Sequence, residues 1–164
     1  MHEARTALVL LALLAVFWSA AGEGDSKQTR EGRKSDRALS LCEVLASPER
    51  YSEKTVTVRG TYRIGYEASE LYCLSCSAGL VWVEFDSAGR GEKTAKAVSR
   101  LMHHGNGTVN GIFTGVFHSA GSYGHLGGYR NQLSVESAFS LSLVDRLGLP
   151  PSKLPPESRE KVCQ

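Results

Sequence analysis

The chain has little of several things that would mark out a function. It has no large excess of one charge: 19 Lys and Arg stand against 17 Asp and Glu, for a formal net charge of +2. A nucleic-acid partner, which calls for a clustered basic patch, is therefore not expected. Long apolar runs are missing as well, since the run from Ala7 to Trp18 falls short of the roughly 20 residues a membrane helix needs. Common catalytic signatures are absent. Ala120 stands where a GxSxG motif would need its first glycine, ahead of Gly121-Ser122-Tyr123-Gly124, and there is no HExxH, GxGxxG or P-loop. Between residues 39 and 145 the only aspartates are Asp86 and Asp145, and nothing in their spacing pairs them as acid and base. No cofactor and no metal site is expected from these motifs.

The N-terminus has a recognisable order. Arg5 precedes the apolar run, and Ser19-Ala20-Ala21 supply the small residues that a signal peptidase prefers. Residues 1–21 therefore read as a secretory leader cut after Ala21, which places the rest of the chain outside the cytoplasm, periplasmic or secreted, with no membrane span once the leader is gone. Its removal takes away Glu3 and Arg5 and leaves the net charge unchanged. Residues 22–38 are polar, mixed in charge and aperiodic, the composition of a disordered linker. Four of the five prolines (Pro150, Pro151, Pro155 and Pro156) lie in residues 146–164, so regular structure is expected to stop near Asp145, with a short helix possible at residues 158–163.

Between these ends, residues 39–145 are long enough for one domain with a core. Ser40-Leu41-Cys42-Glu43 is a capping box opening a short helix, and Ser47-Pro48 starts another helical turn. From Lys54 to Ile64, Val56, Val58, Tyr62 and Ile64 share a face with Gly60, and Thr55, Thr57, Arg59, Thr61 and Arg63 share the other; Gly60 itself suggests a bend or bulge. A turn over residues 65–69 leads to a weaker strand at residues 70–73, and a third strand covers residues 80–85. Residues 93–104 carry Ala97, Val98, Leu101 and Met102 at helical spacing, with His103-His104 finishing the helix and Gly105 as its cap. In the strand at residues 107–118, Gly107, Val109, Gly111, Phe113, Gly115 and Phe117 alternate small with large, as the tapering interior of a small barrel requires. The last strand turns Leu133, Val135, Phe139, Leu141 and Leu143 inward. The order strand, strand, strand, helix, strand, strand gives a mainly β fold: a five-stranded OB-like Greek-key barrel with a helix between strands three and four and a short N-terminal helix. An open meander with a helix on one face is the rival.

Two blocks of sequence resemble a known family. Leu45-Ala46-Ser47-Pro48-Glu49-Arg50-Tyr51 with Val56-Thr57-Val58-Arg59-Gly60 is similar to the entry into the first strand of a family of small exported bacterial proteins, described as OB-fold-like and of unknown function. Tyr123-Gly124-His125-Leu126-Gly127-Gly128-Tyr129, followed by Gln132-Leu133-Ser134-Val135, resembles that family's loop and final strand. The likeness covers most of residues 39–143 and implies the fold and an extracytoplasmic place, without an activity. The chain departs from the family at Glu53, where a glycine is common, and lacks the cysteine that anchors some members to lipid.

Cys42, Cys73, Cys76 and Cys163 form an even set, which in an oxidising compartment suggests disulfides. Cys42 is expected to join Cys73 or Cys76, leaving Cys163 to pair with the remaining thiol or stay free. Cys73-Leu74-Ser75-Cys76 could instead supply a redox thiol or metal ligands, the first of which needs a depressed thiol pKa. Ligands of an OB-type domain lie across strands two and three and between the loops after strands one and four. Here that region contains Tyr66, Glu67, Trp82, Tyr123, His125 and Tyr129, with Arg59 and Arg63 nearby. Aromatic rings with arginines can stack on a sugar or a base; alternatively the N-terminal helix covers Trp82, and His125 merely shapes a turn. His118 falls on the wet strand face. Asn106-Gly107-Thr108 is a glycosylation sequon or a plain strand-entry turn. The expected function is a non-enzymatic module binding a protein or a small ligand such as a saccharide, with a thiol-redox or metal-binding protein as the alternative.

Overall fold

The computed structural model describes residues 37–76, 79–87, 89–102 and 105–163. The expected leader, most of the expected linker and His103-His104 lie outside the described residues. Ser40 caps the first helix as its capping box requires: Ser40 Oγ accepts from the Glu43 amide at 3.1 Å and Glu43 Oε2 accepts from the Ser40 amide at 2.7 Å. These bonds also hold the Glu43 carboxyl below its usual range, through the backbone and then the side chain of Ser40. A two-residue strand, β1 (Leu39–Ser40), runs straight into α1 (Leu41–Ala46), and α2 (Pro48–Tyr51) follows with Pro48 in its first turn.

Five strands follow: β2 (Lys54–Gly65), β3 (Ala68–Tyr72), β4 (Val81–Phe85), β5 (Gly107–His118) and β6 (Gln132–Asp145). Helix α3 (Arg90–Leu101) lies between β4 and β5. The six-stranded sheet has the order β1-β2-β3-β4-β6-β5, and β2 also pairs with β5. Strands β2, β3, β4, β6 and β5 therefore close in a ring, antiparallel throughout except for the parallel pair β4–β6. β1 adds a parallel pairing to β2 that the sequence did not suggest.

The inward residues expected on β2 and β5, and Leu133 and Val135 of β6, are largely found inside this ring. Val56, Val58 and Tyr62 of β2, Leu71 of β3, Val81 and Val83 of β4, Val109, Phe113 and Phe117 of β5, and Leu133 and Val135 of β6 make one buried cluster with Leu41, Val44 and Leu45 of α1. Val98 of α3 and Met102 join it. The alternation on β5 has a physical cause at Gly115: a Cβ there would sit 2.1 Å from the carbonyl oxygen of Ser134, so β6 can cross at that point only over a glycine.

Several expectations need correction. The β2–β5 register runs unbroken through the Gly60–Gly111 pair, so Gly60 is no bulge; a Cβ on it would meet Leu71 at 3.0 Å, and close packing explains the residue. The bulges lie between β5 and β6, where the register shifts between Thr108 and Val109, between Asn110 and Ile112, and between Thr114 and Gly115. Each extra residue swaps the faces of the strand. Ala138 consequently lies opposite Phe113, and Phe139 opposite the outward Ile112, leaving Phe139 50% exposed. A second bulge containing Ser140, at φ 53°, returns Leu141 and Leu143 to the core edge.

Helix α3 begins and ends about three residues early. Its buried stripe is Gly91, Thr94 and Val98, Ala97 is exposed, and Met102, not Gly105, follows its last turn. The segment after β6 is also more ordered than proline content suggests. It forms a 3₁₀ turn at Pro151–Lys153 and α4 at Pro156–Arg159, where Pro156 takes a first-turn position that needs no N–H donor. That segment buries Leu154, and its end lies on Thr61, so Thr61 on the expected wet face of β2 is fully buried. No helix among the described residues is long and apolar enough to cross a membrane.

Candidate functional site

Two loops far apart in sequence meet at one end of the ring. Gly65 pairs with Ala68, which leaves Tyr66 and Glu67 as the two-residue tip of the β2–β3 hairpin. Glu67 takes a left-handed φ at this tip, 54°, and Tyr66 stands 89% exposed. In the β5–β6 connection, Tyr123 and Tyr129 bridge through two backbone hydrogen bonds of 2.9 and 3.2 Å, and a 3₁₀ turn at His125–Gly127 caps the loop. His125 Nε2 lies 3.5 Å from Glu67 Oε2, so the two tips touch. Leu126, at φ 54°, projects beside this contact and is 91% exposed.

Below the tips, the β5–β6 loop folds onto the outer face of β4. The Trp82 and Tyr129 rings pack with centroids 5.1 Å apart. Gly124 lies against the same indole: its φ is 68°, and a Cβ there would stand 2.5 Å from the Trp82 ring. Both facts require glycine. Trp82 is therefore half-buried, with Tyr129 and Gly124 of the loop lying against its ring. Its indole N–H donates to Glu84 Oε1 at 3.1 Å.

A buried carboxylate anchors the assembly. Glu70, on β3, is 1% exposed; it accepts from Arg63 Nε at 2.7 Å and from the Tyr129 hydroxyl at 2.8 Å. Arg63 in turn donates to the Gly148 carbonyl at 3.1 Å. A buried ion of this kind is tolerable only with such a full set of partners. Burial, with the bond and charge of Glu70, pushes the Tyr129 phenol up to about 12 against the opposing pull of Arg63.

Of the residues expected at the site, His125 meets Glu67, Tyr129 meets Trp82 and bridges to Tyr123, and Arg63 is linked to Tyr129 through Glu70, while Tyr66 stands at the tip beside Glu67. Arg59 is elsewhere, lining a separate pocket with Arg37, Ser40, Thr57, Ile112 and Phe139. His118 has a role beyond the wet face. Its Nδ1 lies 2.9 Å from Glu53 Oε1 and its Nε2 3.3 Å from Ser134 Oγ, while Gln132 Nε2 donates to that same Oγ at 3.2 Å. Glu53 holds a left-handed φ of 59° at the entry to β2.

The sequence reading missed Glu70, Glu84 and this Glu53–His118–Ser134 series. One signal was available for Glu70. A two-residue tip at Tyr66-Glu67 places Arg63 directly opposite it, an opposite-charge pair across strands.

The cysteines form two disulfides, Cys42–Cys76 and Cys73–Cys163. The first ties α1 to the residues after β3, and the second gives Cys163 the remaining partner. No cysteine is free. The sulfurs of Cys42, Cys73 and Cys76 nevertheless lie within 4.8 Å of one another, and the Ser75 hydroxyl contacts both Cys73 Sγ, at 3.0 Å, and Cys42 Sγ, at 3.6 Å. Comparison with protein-family models, with curated proteins and with solved structures finds no match to this chain.

Proposed function

We propose that the protein is an exported binding module built on an OB-type barrel, and that the rim formed by Tyr66, Glu67, Trp82 and residues 123–129 receives the ligand. The ring order, the parallel β4–β6 pair and the placement of α3 between β4 and β5 support the barrel reading. Two disulfides support a place outside the cytoplasm, where they persist.

The observation that carries the function is the meeting of the two tips. His125 and Glu67 join loops that hold Tyr66 and Leu126 almost wholly in solvent, on backbone conformations that cost energy for non-glycine residues. Exposed aromatic and apolar tips beside a layer of hydrogen-bonding groups suit a saccharide, whose ring faces stack and whose hydroxyls need partners. A titration of the full chain with a hexamer of N-acetylglucosamine tests this. The Trp82 fluorescence, isolated by comparison with Trp82→Phe, should change in a saturable way, and Tyr66→Ala should weaken binding at least tenfold. A flat titration removes the saccharide reading.

A second reading, thiol exchange or metal binding, is favoured by the three clustered sulfurs. It requires that Cys73 and Cys76 be released by mild thiol reagents. Thiol counting and metal analysis after such treatment decide it, and four cysteines that stay oxidised end it.

A further inference from the structure

Beneath the segment after β6 lies a polar row that runs across three strands. Tyr72 of β3 is paired with Thr61 of β2, and Thr61 with Asn110 of β5; Thr108 is next along β5. All four are buried, none more than 4% exposed. Thr61 Oγ1 donates to Asn110 Oδ1 at 2.6 Å. What covers them is backbone. The Cys163 amide donates to Thr61 Oγ1 at 2.9 Å and to Asn110 Oδ1 at 3.3 Å, and Asn110 Nδ2 donates to the Lys161 carbonyl.

Asn110 thus reads one C=O and the N–H two residues further on, both presented by the turn that follows α4 and ends at Cys163 with φ 64°, and neither contact depends on a side chain of that turn. The occupant fits incompletely. Tyr72 Oη and Thr108 Oγ1, in the same row, are buried without a hydrogen-bond partner. Orphaned buried hydroxyls are rare and costly, and a ligand with further polar groups would satisfy them.

We propose that Thr61, Tyr72, Thr108 and Asn110 form a binding site for a peptide that ends a short helix in a turn, which residues 161–163 fill in cis and which opens when an external thiol breaks Cys73–Cys163. This site shares no residue with the loop rim, although Thr61 and Tyr72 neighbour the Arg63–Glu70 pair on the β2–β3 hairpin, and it does not depend on the function proposed for that rim. The opening step balances with a dithiol reagent. Its first thiolate attacks the half-buried Cys163 sulfur, and Cys73 leaves as a thiolate and takes a proton. The second thiolate then closes on the first sulfur, releasing Cys163 as a thiol and the reagent as a cyclic disulfide.

The test uses the full chain carrying Cys73→Ser and Cys163→Pro, since proline removes both the tether and the N–H that Thr61 and Asn110 accept. The probe is a fluorescent synthetic peptide of residues 158–163 carrying Cys163→Ser. The opened chain should bind it saturably, the further change Asn110→Ala should weaken that binding at least tenfold, and the oxidised native chain should not bind it. No saturable binding by an opened chain that still unfolds cooperatively overturns the proposal, as does equal binding by the native chain. Should the opened chain not fold, hydrogen exchange on the native chain decides. Dithiothreitol should raise exchange at the Cys163 amide at least tenfold while the amides of β2 and β5 stay protected, and unchanged protection at Cys163 overturns the proposal.

Discussion

The backbone amide of Cys163 donates to the hydroxyl of Thr61, a residue 102 positions earlier, at 2.9 Å. This bond turns one end of the outer face of β2 from a solvated surface into an interior. The alternation of β2 correctly separates Val56, Val58 and Tyr62 from Thr57 and Arg59, yet it cannot tell that a later segment will cover Thr61. Period-two patterning identifies the two faces of a strand, and only tertiary contacts decide whether each face is dry.

The disulfide beside that bond should matter more to stability than its neighbour. In the chain-entropy account, a cross-link restricts the unfolded state in proportion to the logarithm of the loop it closes. Cys73–Cys163 spans 90 residues and Cys42–Cys76 spans 34. The expected contributions are about 5 and about 4 kcal/mol by that account. Guanidinium unfolding of Cys73→Ser/Cys163→Ser and of Cys42→Ser/Cys76→Ser should show the first pair as the less stable variant. A larger loss in the second would mean that anchoring α1 outweighs loop entropy.

Phe113 and Phe139 should respond very differently to truncation. Phe113 is wholly buried and Phe139 half exposed, because the bulge at Thr114/Gly115 reverses the faces of β6. Phe113→Ala should cost about 3–5 kcal/mol, the range for a large aromatic lost from a core. Phe139→Ser should stay within about 0.5 kcal/mol, as exposed substitutions do. Both values come from denaturant unfolding. A loss above 2 kcal/mol at Phe139 would restore the inward orientation that simple alternation gives it.

The same contrast shows what could be read from residues alone. The capping box at Ser40 and Glu43, the inward column of β5 and the order of the strands were written in local periodicity and appear where expected. The bulges of β6 were not, since an extra residue in a strand leaves no composition signal and merely shifts the phase of an alternation that continues on both sides. Helix α3 starts early because Gly91 and Thr94, weakly hydrophobic by type, supply the buried stripe with Val98. Among the site residues, the aromatic loop was recognisable from its glycines and tyrosines. Glu70 was not: a carboxylate in a short strand reads as solvated until the hairpin register sets it against Arg63.

Gly124→Ala should detach the loop from Trp82. The added methyl meets the indole at 2.5 Å, and φ of 68° is unfavourable for any residue with a Cβ. The local cost is about 1 kcal/mol from the backbone alone, with the clash in addition. The ring of strands does not depend on this contact, so unfolding should stay cooperative, at a midpoint lowered in keeping with this local cost. Trp82 emission should shift to the red as water reaches the ring. An unshifted emission maximum would mean that Tyr129 by itself keeps the indole covered.

Tyr129 should titrate far above its ordinary value of 10.0, at about 12, for reasons that can be separated. Burial disfavours the phenolate first. The hydrogen bond to Glu70 and its negative charge add to that, and Arg63 opposes them. Glu70→Gln removes the charge and keeps an acceptor, so the phenol should ionise at lower pH than in the native chain, as followed by absorbance at the phenolate band against Tyr129→Phe. The direction of the stability effect follows from proton counting. Between pH 10 and 12 the unfolded chain has released this proton and the folded chain has kept it, so the contribution of Tyr129 is complete below pH 10 and declines as pH rises through about 12. If Glu70→Gln leaves the titration where it was, burial under the loop sets the phenol's behaviour and the carboxylate only fixes its position.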